Sequence, residues 1–178
     1  MTSPTAGTSG SGPAAADVVV ARSAGTGPAT WAMGMLFERL AAAGETAGLL
    51  DAAIVTQPPG QASPLHVHTQ EAEAWFLLEG TMTYLAGEQL VRMGGGDFIY
   101  LPRHVPHAFR TTGTAPVRFL ALTLPGGLLG IYDEVGVPAA ERRLPDGGVS
   151  ADDVARWLEL GPRYGLRVVG PPIPESEA

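Results

Sequence analysis

The sequence predicts an all-β sandwich or barrel, and two observations support this prediction. From about residue 17 to residue 125, short apolar or alternating runs follow one another, and each run is bounded by Gly or Pro. The resulting turns recur roughly every eight to twelve residues, a spacing typical of antiparallel all-β folds. The chain has 178 residues, which suits a single domain with its own core and a decorated terminus.

Residues 1–16 form the first segment and are predicted to be a disordered tail. They are Gly, Ser, Thr, Ala and Pro, with no large apolar side chain after Met1. Such a segment buries too little surface to offset the entropy lost on ordering. The predicted β-domain covers 17–125, and its strand-like runs are DVVVARS, WAMGMLFERLAA, TAGLLDAAIVTQ, EAWFLLEG, TMTYLAG, EQLVRM, GDFIYLP, HAFRTTG and APVRFLALTLP.

One run within this domain is ambiguous. In MLFERLAAAGETAG the spacing of Leu36 and Leu40 is compatible with a helix, but Gly34, Gly44 and Gly48 interrupt it. A strand is therefore favoured. Two turns are clearer: Gly87 supplies a positive φ in a tight hairpin at 85–88, and 94–97 (GGGD) is a second turn.

Residues 126–178 differ in character and are predicted to be a helical and extended appendage. GGLLGIYDEVG favours a short helix, and GLRVVGPP favours a final strand. Between them, Ser150 caps a predicted helix that has Val154, Trp157 and Leu158 on one face. We expect this appendage to pack on the β-domain or on a partner subunit.

Composition excludes several classes of function. Eleven basic against eighteen acidic residues give a net charge of −7, which argues against nucleic-acid and anionic-membrane partners. The absence of cysteine excludes thiolate chemistry and zinc sites that contain Cys. The N-terminus has no signal-peptide pattern, and no stretch approaches the ~20 apolar residues of a membrane span, so a cytoplasmic protein is expected.

The four histidines, His66, His68, His104 and His107, all lie in one stretch of the predicted β-domain. In a strand, His66 and His68 point to the same side. Glu73 follows a predicted turn at 69–72 and can face both imidazoles if its strand pairs beside theirs. Three imidazoles and a carboxylate suit a divalent transition metal.

A plainer interpretation is also open for this segment. An isolated His-x-His can belong to a surface strand with ordinary polar residues. Glu71 can be a solvated turn residue. His104 lies beside Arg103 in a proline-rich loop, so we expect it to be exposed.

The spacing across the wider segment resembles the cupin family. Gly60, His66, His68, Glu73 and Gly80 reproduce the first cupin motif, with five, one, four and six residues between them. A second motif runs from Gly96 through Pro102 to His107 and the residues AFR. The resemblance covers roughly residues 30–125. It implies a double-stranded β-helix (jelly-roll) barrel with a metal held by His66, His68, Glu73 and His107.

Two positions depart from the family pattern. His104 stands where the second motif usually has glycine, and Thr111 stands where it usually has asparagine. Neither position is a ligand in the family, so only the local loop and the strand end are affected.

Three stretches carry a second resemblance: HVH followed by EAWFLLEG, then GDFIYLPRHVPHAF, and then the C-terminal segment with PGG, YDEVGVP and LP. With them, this single-domain chain is similar to bacterial quercetinase-type monocupins. The resemblance implies a dioxygenase that uses O₂ on a flavonol-like or other phenolic, enolisable molecule. Glu73 would then be both ligand and catalytic base. The alternatives are a non-oxidative cyclase or isomerase of natural-product (polyketide) biosynthesis, and a non-catalytic binding protein. One divalent ion per chain (Fe, Ni, Mn, Co, Cu or Zn) and a homodimer are also expected.

Strand parity suggests a substrate pocket above the metal. If Glu73 points inward, so does Trp75, and if His107 points inward, so does Phe109. Tyr84 and Tyr100 are further candidates whose face is unassigned. The same aromatic rings could simply form the barrel core.

Overall fold

The computed structural model describes residues 19–178, so the predicted tail at 1–16 lies outside the described residues. The chain forms two antiparallel sheets, one of seven strands in the order β11-β1-β2-β3-β10-β5-β8 and one of five in the order β12-β4-β9-β6-β7. Its strands are β1 Ala29–Ala32, β2 Met35–Ala41, β3 Asp51–Gln57, β4 Leu65–His68, β5 Ala72–Glu79, β6 Thr81–Ala86, β7 Gln89–Gly94, β8 Phe98–Leu101, β9 His107–Thr112, β10 Val117–Leu124, β11 Val137–Pro138 and β12 Leu166–Gly170. The α-helices are α1 Gly130–Val135 and α2 Ala151–Leu160, and short 3-10 helices cover Ala43–Glu45, Gly161–Tyr164 and Glu175–Glu177.

The two sheets face each other across one apolar core. Side chains of the seven-stranded sheet, among them Phe37 and Phe119, pack there with side chains of the five-stranded sheet such as Met82. The strand β10 shows why the sequence folds this way, because its residues alternate between buried and less buried positions along the chain. The predicted all-β jelly-roll class is confirmed.

Most of the predicted elements are present, with one exception and one refinement. MLFERLA is the strand β2, as favoured, and the hairpin between β6 and β7 turns at Gly87 with a φ of 60°. WAMGMLFERLAA holds two strands, because the chain turns between Ala32 and Met35. The prediction of a strand in DVVVARS is wrong for its described part, since residues 19–28 form no strand.

The appendage packs on the β-sheets of the same chain. The strand β11 pairs with β1, and β12 pairs with β4. At the start of α2, Ser150 Oγ accepts a hydrogen bond from Asp153 N, as expected of a capping serine. The predicted apolar face of α2 is only partly right, because Trp157 is buried whereas Val154 and Leu158 are exposed.

A buried carboxylate fixes the point where the appendage leaves β10. Asp51 Oδ2 accepts hydrogen bonds from Gly127 N at 2.7 Å and Leu129 N at 3.2 Å. Arg39 donates to Leu129 O at 3.0 Å and to Asp133 Oδ2 at 2.7 Å. Buried charges of this kind are stable only when they are paired and hydrogen-bonded, so the contacts hold α1 in one position on the sheet. Between residues 19 and 178, no helix is long and apolar enough to cross a membrane.

Candidate metal centre

Three strands bring the predicted ligands together between the sheets. His66 on β4 is the cross-strand partner of His107 on β9, and His68 lies two residues further along β4. Glu73 is the second residue of β5. One nitrogen or carboxylate oxygen from each of these four side chains lies within 4.8 Å of the others, and all four side chains are buried.

Glu73 reaches the histidines by a different route from the one expected. The strand β5 pairs with β10 and β8 in the seven-stranded sheet, not with β4. Glu73 therefore faces the imidazoles across the space between the sheets. The pairing on which the sequence analysis made this contact conditional does not occur, but the four side chains do meet.

The outward ring nitrogens of the three histidines are all occupied. His66 Nδ1 lies 2.8 Å from Pro64 O, and His107 Nδ1 lies 2.9 Å from Val105 O. Because a carbonyl oxygen can only accept, these two Nδ1 atoms donate to the carbonyls, which turns Nε2 of each ring towards the centre. His68 Nδ1 instead contacts a carboxylate, Glu71 Oε1, at 2.6 Å.

Glu73 Oε2 lies between two of the Nε2 atoms. It is 3.2 Å from His107 Nε2 and 3.3 Å from His68 Nε2. Burial works against the ionised carboxylate, but the imidazoles of His68 and His107 outweigh it and hold the pKa of Glu73 well below its usual value. Glu73 is therefore ionised at neutral pH.

The two histidines of β4 differ in their electrostatic surroundings. Burial, reinforced by the neighbouring His107 and His68, lowers the pKa of His66 to about 3. Burial also acts to lower the pKa of His68, but the carboxylates of Glu73 and Glu71 raise it to about 10. The two carboxylates thus stabilise a positive charge at the centre, which a proton on His68 or a bound cation can supply.

The donor set fits a divalent transition metal. Imidazole nitrogens and a carboxylate oxygen are the ligands that these ions take, and hydrogen bonds or a carboxylate at the other ring nitrogen orient such histidines. His66, His68 and His107 have this arrangement. In each of them Nδ1 contacts an oxygen atom outside the cluster, and Nε2 is left to face inward. The residues present therefore suit a single ion.

The structure decides the role that the sequence left open for Glu71. It is not a solvated turn residue, because only 3 % of Glu71 is exposed and its carboxylate contacts His68. The turn after β4 folds back over the end of the strand, so the carboxylate points inward. Parity with Glu73 was the available signal, but parity alone does not distinguish a buried turn from an exposed one.

Three of the four proposed pocket residues lie on the interior side of the strands, and one does not. Trp75, Tyr84 and Phe109 are buried and pack together, with ring centroids 5.3 Å apart for Trp75 and Phe109. Burial and the charge of Glu73 raise the pKa of Tyr84 well above its usual value. Tyr100 is 56 % exposed on the opposite side of β8 from the buried Leu101, so its ring does not line the interior and its assignment is wrong.

The positions that depart from the motif each have a structural consequence. His104 is exposed, as expected, and has a φ of 67°, a backbone conformation that favours glycine. Its N–H donates to His68 O at 2.8 Å. Thr111 is buried and its hydroxyl donates to Pro58 O at 2.8 Å, which fixes the turn that leads into β4.

Comparison with known proteins agrees with this geometry. The family described as "Cupin domain" matches residues 53–123, which include all four candidate ligands. The chain contains a single cupin domain. A solved structure of a predicted oxalate decarboxylase from Thermotoga maritima is similar, with a TM-score of 0.53 and 23 % sequence identity. The match covers 61 % of this chain and 99 % of that chain, which supports the fold.

Two curated proteins are similar to parts of this chain. Quercetin 2,3-dioxygenase of Bacillus subtilis is 26 % identical over 93 residues, 52 % of this chain. An uncharacterized protein of Methanocaldococcus jannaschii is 29 % identical over 68 residues, 38 % of this chain. The matches span only 27 % and 54 % of the length of these two relatives.

Proposed function

We propose that the cupin domain binds one divalent transition metal through His66, His68, Glu73 and His107 and works as a metal-dependent enzyme. Its proposed reaction is the dioxygenation of a flavonol-like or other phenolic, enolisable small molecule. The observation that carries this proposal is the convergence of four buried donor atoms within 4.8 Å. The similarity to a quercetin 2,3-dioxygenase over 93 residues supports the class of reaction.

The bound ion would favour the deprotonated form of a substrate hydroxyl that coordinates it. Glu73 is the residue placed to accept the proton. Its Oε2 lies among the Nε2 atoms of the cluster, and the neighbouring imidazoles keep the carboxylate ionised, which is the form that can accept a proton.

The surrounding side chains prepare a dry site. His66 is held as a neutral imidazole by its burial, and Pro64 O fixes its ring orientation. Trp75, Tyr84 and Phe109 line the interior next to the ligands and exclude water. The indole N–H of Trp75 and the hydroxyl of Tyr84 are buried without a hydrogen-bond partner among the described residues. Such groups are rare in folded proteins, and oxygen atoms of a bound substrate would satisfy both of them.

Oxygen uptake tests the proposal directly. Protein loaded separately with Fe(II), Ni(II), Mn(II) and Co(II) is mixed with quercetin or catechol in an oxygen electrode. We expect substrate-dependent oxygen consumption that Glu73→Gln abolishes and that the exposed Glu88→Gln retains. Turnover that persists without O₂ would overturn the dioxygenase assignment in favour of a cyclase or isomerase. Metal binding without turnover of either compound would indicate a binding protein.

A further inference from the structure

The C-terminal segment is attached directly to a strand of the metal centre. The strand β12 pairs with β4, and Leu166 lies opposite His68. Gly165 O accepts hydrogen bonds from both N and Oγ1 of Thr69, each at 2.9 Å. Because β4 carries His66 and His68, the appendage is fixed beside two of the four candidate ligands.

Gly165 makes this close approach possible. Its φ is +67°, and a Cβ at this position would lie 2.8 Å from Thr69 Oγ1 and 2.6 Å from Gln70 Cγ. A larger residue would be strained in its backbone and would push the appendage away from the turn. The sequence thus places glycine where the segment meets the turn between His68 and Glu71.

Trp157 is the side chain through which α2 reaches the site. Its ring centroid lies 6.4 Å from that of His66, at an interplanar angle of 79°. It is 6 % exposed, whereas Val154 and Leu158, on the same predicted face of the helix, are 38 % and 46 % exposed. Trp157 is therefore the one buried residue of α2, and its indole makes the contact with His66.

Tyr132 on α1 lies on the same side of the site as Trp157. Its ring stacks on Phe37 with centroids 4.2 Å apart, and it also packs against the cluster that contains Trp157. Burial and the charge of Glu73 raise the pKa of Tyr132 above its usual value, so its hydroxyl lies within electrostatic reach of the centre. Tyr132 and Trp157 thus both border the interior that holds the ligands.

The side of the site at Trp157 is built differently from the sides formed by the strands. The candidate ligands are at most 6 % exposed, so an incoming molecule has to pass some part of the surrounding structure. The strands that carry the ligands are held by the hydrogen bonds of the two sheets. On the side of α2, the indole of Trp157 packs next to the His66 ring.

We propose that Trp157 is a specificity-determining residue, which limits the size of the oxygen ligand that can reach the metal held by His66, His68, Glu73 and His107. The proposal rests on the proposed function only for the presence of that metal. Truncating the indole leaves space next to His66, and we expect this space to admit a larger ring. The appendage is then a part of the site and not a separate attachment.

The test measures which anions bind to Co(II)-loaded protein. Acetate and 2-naphthoate are titrated while the visible Co(II) absorption is followed, and the ratio of the two dissociation constants is compared among variants. We expect Trp157→Ala to shift the ratio towards 2-naphthoate by about tenfold or more, since the truncation removes several ring carbons. Trp157→Phe should give an intermediate shift. Leu158→Ala, the neighbouring exposed position on α2, should leave the ratio unchanged.

The readout separates a specificity role from a structural one. Loss of packing would weaken both anions together or release the metal, whereas relief of a steric limit changes the ratio and leaves acetate binding intact. An unchanged ratio in Trp157→Ala, or loss of cobalt from both Trp157 variants, would overturn the proposal. If Trp157→Ala does not fold, Trp157→Phe decides.

The outcome is also separable from that of the oxygen-uptake experiment. A shifted ratio in a protein that consumes no oxygen with quercetin or catechol would keep the role of Trp157 and reject the dioxygenase assignment. Oxygen uptake with an unchanged ratio would do the reverse.

Discussion

His68 Nδ1 and Glu71 Oε1 lie 2.6 Å apart, and both side chains are buried. The contact is an ion pair whose angles are not those of an aligned hydrogen bond. It places a carboxylate behind the histidine, on the side away from the other candidate ligands. Carboxylates in this position orient a metal-binding imidazole and make it more basic.

Glu71→Gln should therefore weaken metal binding without removing a ligand. We expect the dissociation constant for Zn(II), measured by competition with a chromogenic chelator, to rise by about 10- to 100-fold. Glu88→Gln removes one negative charge at an exposed turn and serves as the control. Equal affinities of the Glu71 and Glu88 variants would show that the ion pair has no part in metal binding.

Removing a candidate ligand should change the amount of metal that the protein binds. We expect about one divalent ion per chain in the native protein, since the cluster offers three imidazoles and one carboxylate. His66→Ala and His107→Ala should each lose the ion after dialysis, as measured by inductively coupled plasma mass spectrometry. His104→Ala should retain it, because His104 is exposed and outside the cluster. Retention of the ion in both ligand variants would refute the site.

Metal binding should release a proton. The carboxylates of Glu73 and Glu71 raise the pKa of His68 to about 10, so this imidazole is protonated at pH 8 in the metal-free protein. A metal ligand must be neutral, and we therefore expect about one proton to leave per ion bound at pH 8. Calorimetric titrations in buffers of different ionisation enthalpy measure this number.

The same shift fixes the sign of the pH dependence. Because the pKa is raised in the folded state, protonated His68 stabilises the metal-free protein fully below the ordinary value of 6.5, and this contribution is lost as the pH rises through about 10. Metal affinity should rise over the same interval. No proton release at pH 8 would mean that His68 is already neutral in the metal-free protein.

His104→Gly should stabilise the protein. His104 has a φ of 67°, and a non-glycine residue in this conformation costs on the order of 1–2 kcal/mol, part of which the extra backbone entropy of glycine in the unfolded chain offsets. We expect a net gain of about 0.5–1 kcal/mol, or a melting temperature about 1–4 °C higher. His104→Ala keeps the strain and should show no gain. A lower melting temperature for the glycine variant would indicate that the imidazole itself makes a stabilising contact.

The expected homodimer remains a prediction, and the structure suggests the surface for it. Phe76, Phe98 and Tyr100 are exposed on the outer face of the seven-stranded sheet, where β8 is an end strand in the described part of the chain. Antiparallel pairing of β8 with a second copy, centred on Tyr100, would bring Asp97 opposite Arg103 and so join opposite charges.

Light scattering coupled to size-exclusion chromatography measures the oligomeric state. We expect a dimer for the native chain and a monomer for Phe98→Glu, which places a charge in the apolar surface. Leu90→Glu introduces the same charge at an exposed site on the other sheet and should remain dimeric. A native chain that elutes as a monomer at micromolar concentration would refute the prediction.

Local sequence rules predicted most of the elements because their signals are local. The alternation of apolar residues in β10 and the glycine at the turn between β6 and β7 each act within a few residues. The capping of α2 by Ser150 is equally local. The described part of the run DVVVARS shows the limit of such rules, since strand-forming residues pair only where a partner edge is available.

The sequence by itself determined which residues form the candidate site. Motif spacing selected His66, His68, Glu73 and His107, because a strand repeats its side-chain direction every two residues and the family places its ligands at fixed intervals. The tertiary structure decided how these residues meet. Glu73 approaches from the opposite sheet, Glu71 is turned inward behind His68, and the indole of Trp157, 91 positions after His66 in the chain, lies beside the His66 ring. Each of these relations depends on contacts between residues distant in the chain or on burial by them, and no local pattern carries that information.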